Sequence, residues 1–368
     1  MSDPFITRCF QPRQSLLYSY SYSYLKKTLM LLTLLSLSPL FTFASTHQPP
    51  TQMTLNNAQY GINLEGYPYP YPVHFLPLSI QQQSLKMAYM YVKANNPNGH
   101  TVLLMHGKNF NGMYFKQVIA HLSQAGFNVL VPDQIGFGKS SKPAHFQYTF
   151  QQLAQNTKTL LDTLHIKKTM VLGHSLGGML ATRFALMYPN TTTKLILENP
   201  LGLEDWKTVV PYPQGGVDYW YKIELAKTPE KIKKYQINNY YQGHWKPEYQ
   251  PYVDIITSFM DSPDYPRYAW NSALTYDMLY TQPVVYEFKN LTMPTLLIIG
   301  QSDKTAHGKE RITPKIAKTM GNYAALGKKT AKVIPNATLV ELDNVGHLPH
   351  IQAFERFMPA LLNFIQEK

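Results

Sequence analysis

The run Leu172-Gly173-His174-Ser175-Leu176-Gly177-Gly178 constrains this chain more than any other stretch. A strand-like apolar run over 169–172 leads into it and a helix-like run over 179–188 leads out, so it reads as strand, tight turn, helix with a serine at the apex. A serine hydroxyl is a poor nucleophile unless the backbone is bent so that Oγ stands clear of the sheet. That bend brings the chain close on both sides, and only glycine tolerates the crowding cheaply. Gly173 and Gly177 stand two residues before and two residues after Ser175. In a chain with 20 Gly, a G-x-S-x-G string also describes an ordinary glycine-rich turn, so its meaning rests on what accompanies it.

What accompanies it is an alternation of strand-like and helix-like runs from Val73 onward, the pattern of a mostly parallel central sheet with helices on both faces. Residues 73–80 and 85–92 predict an initial hairpin. Thr101-Val102-Leu103-Leu104-Met105 and Phe127-Asn128-Val129-Leu130-Val131 are apolar runs suited to strands buried on both faces. Further strands are expected over 194–200, 294–300 and 337–342, and helices over 150–164 and 354–365. The first central strand ends in His106-Gly107-Lys108-Asn109, a later one in Gln301-Ser302-Asp303-Lys304, and the last in Asp343-Asn344-Val345-Gly346-His347.

In its elbow, its HG pair and the order of these groups, the chain resembles the α/β-hydrolase superfamily from about residue 73 onward. The resemblance implies a catalytic triad of Ser175 as nucleophile, Asp303 as acid and His347 as base. Glu198, at another strand end where the family places its acid, is the reserve candidate, and His350 is the rival histidine. An oxyanion hole is implied at the N–H of Leu176 together with that of Lys108 or Asn109, a choice the sequence leaves open. The loop Asp133-Gln134-Ile135-Gly136-Phe137-Gly138-Lys139-Ser140 ends like a phosphate-binding loop, but Asp133 occupies the position of its first glycine. In the family such a loop shapes a turn.

Residues 201–293 break the rhythm and hold all four tryptophans and about half of the 27 tyrosines. By resemblance this is a helical cap inserted in a core of 73–200 and 294–368, with Trp270 and Tyr276 as candidate substrate-binding walls. The Lys-rich interval 310–335 predicts a surface excursion.

Such a lid favours a small to medium hydrophobic substrate, and the expected reaction is ester hydrolysis through an acyl-enzyme. The same triad serves carbon–carbon hydrolysis, lactone opening and acyl transfer. From a different class, the alternative is a binding protein on an inactive hydrolase scaffold. A serine at the elbow argues against the haloalkane dehalogenase and epoxide hydrolase branches, which use aspartate there. No HExxH or Cys/His cluster suggests a metal and no GxGxxG a dinucleotide, so no cofactor is expected.

The start of the chain is of another kind. Lys26-Lys27, an apolar core from Thr28 to Leu37 and the small residues before Ser45 read as a secretory signal over 1–44, cleaved after Ala44, with export to a bacterial periplasm. The alternative is a retained membrane anchor, for which this Pro39-containing stretch is shorter than the about 20 residues a span needs. The single Cys9 lies before the cleavage point, which leaves no disulfide in the mature chain. A Pro/Tyr-rich lead over 45–72 contains Tyr67-Pro68-Tyr69-Pro70-Tyr71-Pro72 and is expected to be extended. The net charge of +12 comes from scattered lysines with no nucleic-acid motif, so no nucleic-acid partner is expected, and a membrane partner only if the N-terminal segment is retained.

Overall fold

The structure, a computed structural model, describes residues 60–367; the expected signal over 1–44 and the beginning of the 45–72 lead lie outside the described residues. One sheet carries eight strands in the order β1-β2-β4-β3-β5-β6-β7-β8. Strand β1 (Val73–Ile80) pairs antiparallel with β2 (Gln83–Val92), which completes the expected hairpin. In turn β2 pairs antiparallel with β4 (Asn128–Pro132), the neighbour of β3 (Thr101–Met105). The remaining pairings are parallel, through β5 (Thr169–His174), β6 (Thr192–Glu198), β7 (Thr295–Gly300) and β8 (Ala337–Leu342).

Helices α1 (Lys116–Gln124), α2 (Phe150–Thr163) and α3 (Leu176–Met187) connect β3 to β6. Between β6 and β7 stand α4 (Val217–Leu225), α5 (Pro229–Asn239), α6 (Gln250–Thr257) and α7 (Tyr265–Thr281). Short α8 (Pro314–Ala317) and α9 (Tyr323–Val333) precede β8, and α10 (Pro349–Gln352) and α11 (Phe354–Gln366) follow it.

The pleat explains why the central strands read as unbroken apolar runs. Successive side chains leave opposite faces of a strand, so Leu103, Val171 and Leu297 join one core with Leu153, Leu160 and Phe184 of α2 and α3. Their neighbours Leu104, Leu172 and Ile298 join a second core with Val118 of α1 and with Phe357 and Leu361 of α11. Both faces are covered, so alternation with polar residues disappears from the sequence.

Residues 310–319 run over the surface as expected, but the rest of the interval 310–335 departs from a surface excursion. There α9 lies on the sheet, with Tyr323 and Thr330 buried. Gly327 approaches so closely that a Cβ there would stand 3.0 Å from Ile299 Cγ1. Lys328, Lys329 and Lys332 occupy the exposed side, so the lysine content marks one face of an amphipathic helix.

Asp133, after β4, organises a turn. Its Oδ1 accepts from Gly112 N–H at 2.8 Å, and its Oδ2 from Lys139 N–H at 2.8 Å and Tyr69 O–H at 2.7 Å. Ser140 Oγ donates to the Asp133 carbonyl and accepts from Ala88 N–H. Lys139 Nζ donates to Leu64 O, which fastens the lead segment to this loop. Ile62, Leu64 and Tyr67 pack in a small core with Ile255, Phe259 and Tyr265, so the lead also grips the 201–293 segment. Among the described residues, no helix is long and apolar enough to cross a membrane.

Candidate active site

Ser175 sits between β5 and α3 with φ 57° and ψ −121°, a conformation costly for a residue with a side chain. Its neighbours hold it there. Ser175 N–H donates to Glu198 O at 3.2 Å, and its carbonyl accepts from Gly178 N–H at 2.9 Å and Leu201 N–H at 3.0 Å. The two flanking glycines are demanded by close approach: a Cβ at Gly173 would stand 2.1 Å from Gly177 O, and one at Gly177 2.1 Å from Met105 O. The strand-turn-helix reading of the sequence is therefore the local structure, and Ser175 Oγ stands clear of the sheet.

His347, on the loop after β8, places Nε2 2.9 Å from Ser175 Oγ and Nδ1 2.7 Å from Asp303 Oδ2. All three residues are buried. Asp303 follows β7, and its carboxylate also accepts from Asn199 Nδ2 at 2.8 Å and from Thr305 N–H at 2.8 Å. A carboxylate engaged by donors on several sides is held in one orientation.

Asn199 is a residue that sequence reasoning missed. It follows β6 directly, at φ 34°, and its Oδ1 accepts from Gly300 N–H at 2.8 Å, so one side chain ties the ends of β6 and β7 to the acid. The available signal was an asparagine at a strand end, beside the reserve acid. Glu198 itself does not serve His347: its Oε1 accepts from His350 N–H at 2.8 Å and pairs with His350 Nδ1 at 2.7 Å. The two reserve candidates thus bind each other and leave Ser175 to the other pair. The reason is the strand geometry, which sends neighbouring side chains to opposite sides.

A second chain of hydrogen bonds, also unforeseen, connects the HG loop to the histidine. Gly107 N–H donates to Tyr114 Oη at 2.9 Å, Tyr114 O–H donates to His174 Nδ1 at 2.9 Å, and His174 Nε2–H donates to His347 O at 2.7 Å. These directions follow from the charge states. Burial, with His347 and His350 nearby, pushes His174 well below the ordinary histidine value, so it is neutral. Burial and then Glu198 push the Tyr114 hydroxyl well above its ordinary value, so it keeps its proton. Tyr240 supports His347 from the other side: the rings stack with centroids 4.9 Å apart, and His347 N–H donates to Tyr240 O at 3.1 Å.

Ser175 and His347 open into a cavity of about 510 Å³ walled by residues of the 201–293 segment and of the loop after β7. Leu201, Trp220, Ile232 and Leu279 supply apolar wall, and Lys108, Glu224, Lys227 and His307 supply polar wall. As the first residue of α3, Leu176 has no intrahelical acceptor for its N–H. The amides of Lys108 and Asn109 donate to no protein group among the described residues. Gly107 lies against the serine, where a Cβ would stand 3.2 Å from Ser175 Cβ. Asn109 turns its side chain to Tyr240, donating to Oη at 2.7 Å, whereas Lys108 extends into the cavity.

Tyr276 lines the cavity and stacks on Trp220, with centroids 5.6 Å apart. Trp270 does not line it, contrary to the expectation for this residue. Six positions earlier on α7, Trp270 faces another way, packing on Tyr221 and donating Nε1–H to Ala144 O at 2.9 Å.

Residues 100–354 match the family model of the alpha/beta hydrolase fold. Among curated proteins, the chain is 25% identical over 331 residues to Lipase 3 of a Moraxella species, a match covering 88% of this chain and 95% of that one. It is 24% identical over 272 residues to Lipase 1 of Psychrobacter immobilis, covering 72% and 77%. Among solved structures, it is similar to a probable hydrolytic enzyme of Pseudomonas aeruginosa, with 50% identity, a TM-score of 0.83, and 84% of this chain and 99% of that one covered. With this fold, topology and sequence match, the chain belongs to the α/β-hydrolase family and is a hydrolase.

Proposed function

We propose that this protein is a serine hydrolase that cleaves a small to medium ester through an acyl-enzyme intermediate. The observation that carries the reading is the unbroken line from Asp303 Oδ2 to His347 to Ser175 Oγ, at 2.7 and 2.9 Å, opening into the cavity. His347 takes the proton of Ser175 as Oγ attacks the ester carbonyl and returns it to the departing alcohol; a water then repeats the cycle to release the acid. Asp303 holds the imidazole in the tautomer that presents Nε2 as acceptor and stabilises the imidazolium. The amides of Leu176 and Lys108 meet the oxyanion, with Asn109 as the neighbouring donor, and such a donor is worth about 3 kcal/mol of barrier.

Helices α4–α7 act as a cap that excludes water, and the apolar wall of Leu201, Trp220, Ile232 and Leu279 takes the hydrocarbon part of the substrate. The printed names of the two lipase relatives agree with ester chemistry. Residues 1–44 act as a cleaved export signal, which sequencing of the mature N-terminus tests: a start at Ser45 supports it, and a chain still carrying Lys26 favours the retained membrane anchor instead.

The reaction itself is tested by labelling the folded protein with a fluorophosphonate and locating the adduct by mass spectrometry. Modification at Ser175 that vanishes in Ser175→Ala is expected. Folded protein that neither labels nor turns over any ester would overturn the reading in favour of a binding protein.

A further inference from the structure

Lys108 has more than a backbone role. It is buried at 8% exposure, and its Nζ donates to Ser272 Oγ at 2.7 Å and lies 3.5 Å from the centroid of the Tyr276 ring. An ammonium has three donors. Here one meets a hydroxyl and one an aromatic face, and neither partner carries charge. Glu224, the carboxylate nearest in this wall, is engaged by Lys227 Nζ at 2.5 Å. Lys231 and Lys309 also line the cavity, against one further carboxylate, Glu310, so its lining is cationic in balance.

Glu224 favours the Lys108 charge only through space, being in contact with Lys227 instead, and a buried ammonium with no carboxylate in contact is costly unless something supplies one. Burial, opposed by Glu224, pushes the Lys108 ammonium down to about 7. An arriving anion would restore its charge and complete its hydrogen bonds. The other cations of the wall are turned elsewhere, Lys227 to Glu224, Lys231 to Ala226 O and Lys309 to Lys304 O and Met320 O, and His307 is pushed down to about 3 by burial, Arg311 and Lys108, and stays neutral.

The position matters as much as the charge. Lys108 follows Gly107, which lies against Ser175, so Nζ stands one lysine side chain away from the amide that would meet the oxyanion. We infer that the natural substrate is an ester bearing a carboxylate, which Lys108 Nζ receives beside Ser272 and Tyr276 while the ester carbonyl lies at Ser175. The inference rests on the serine-hydrolase reading above and adds the substrate class to it. The apolar wall takes the carbon chain, and Lys108 selects the charged end. This narrows the wholly hydrophobic substrate expected from the sequence.

The test compares matched esters of equal size. On the acyl side, mono-p-nitrophenyl glutarate is paired with p-nitrophenyl 5-methylhexanoate; on the alcohol side, 4-acetoxybenzoate is paired with 4-isopropylphenyl acetate. In at least one pair the parent enzyme is expected to favour the anionic member about 10- to 100-fold in kcat/KM, the scale of one charge-assisted hydrogen bond. Lys108→Met, which keeps the backbone amide, should bring that ratio to one or below, and Lys108→Arg should keep it above one. The ratio is the readout, so a general loss of rate in either variant does not imitate the effect. A parent ratio at or below one in both pairs, or a ratio unchanged in Lys108→Met, would overturn the inference.

Calorimetric titration of glutarate and of benzoate into Ser175→Ala, with and without Lys108→Met, decides the role of Lys108 even if no ester is turned over. At least one of the two anions should bind, about 10-fold or more weaker without the ammonium. Failure of turnover with this binding intact counts against the reaction, whereas turnover without anion preference counts against the carboxylate.

Discussion

Replacing Tyr114 by Phe removes one oxygen and leaves the ring, so its cost can be worked from the hydrogen bonds alone. The phenyl group keeps its stack on Phe110, where the centroids are 4.7 Å apart and the planes 12° from parallel, so apolar burial changes little. Two bonds of 2.9 Å are lost, and Gly107 N–H and His174 Nδ1 are both left inside the protein without that partner. Each buried orphan costs about 1–3 kcal/mol, and with some relaxation the sum is about 2–4 kcal/mol. That is a large part of the about 5–15 kcal/mol that holds a typical fold together. The lost bonds also free the HG loop from the histidine loop, because His174 is the group that reaches the His347 carbonyl. A misplacement of about 1 Å costs on the order of 100-fold in rate, so kcat should fall by about 10- to 100-fold. Urea unfolding followed by tryptophan fluorescence gives the first quantity and ester turnover the second. A stability loss below about 0.5 kcal/mol, the size of an ordinary surface substitution, together with unchanged kcat would refute the linkage.

Asp303→Asn should lower kcat by about 10⁴-fold, because an amide in place of the carboxylate no longer holds His347 with Nε2 free to accept from Ser175; turnover within about 10-fold of the parent would mean that the acid lies elsewhere. The preference for an anionic ester should decline with pH. Lys108 is protonated below about 7 and loses its charge as pH rises through that value, so the kcat/KM ratio of anionic to neutral ester should be highest in acid and fall over about pH 6 to 9. The groups facing Lys108 do not change charge there. Burial raises Glu224, but Lys227 and Lys108 outweigh it and hold this carboxylate below its ordinary value. Burial lowers Lys227, but Glu224 outweighs it and holds this ammonium above its ordinary value. Burial and then Glu224 push Tyr276 well up, His307 stays neutral, and Ser272 does not titrate. A flat ratio across that range would exclude Lys108 as its source.

The parts of this protein legible in its sequence are those whose physical demands are local. Buried parallel strands need continuous apolar runs, and 102–105, 170–172 and 296–299 show them. The elbow needs small residues on either side of Ser175, and Gly173 and Gly177 stand there because backbone carbonyls come within 2.1 Å of where a Cβ would be. Ser175, Asp303 and His347 were implied by the family resemblance, and each lies past a strand because parallel strands deliver their ends to one edge of the sheet.

Other features were decided only when distant segments met. That Glu198 binds His350 while Asn199 binds Asp303 depends on the side from which each side chain leaves the end of β6. That α9 is a sheet-covering helix depends on Gly327 meeting Ile299, which no count of lysines reveals. Tyr114 and His174 are 60 residues apart, and His174 and His347 are 173 apart, so the chain of bonds behind the base has no trace in spacing. Trp270 and Tyr276 share a helix, yet their positions around it send one to Ala144 and the other to the cavity. Composition likewise suggested an apolar lid, but the cavity also has Lys108 in its wall, held by Ser272, which lies 164 residues away. A side chain's type is written in the sequence, whereas its partners, and with them its charge and its chemistry, exist only after folding has brought those distant segments into contact.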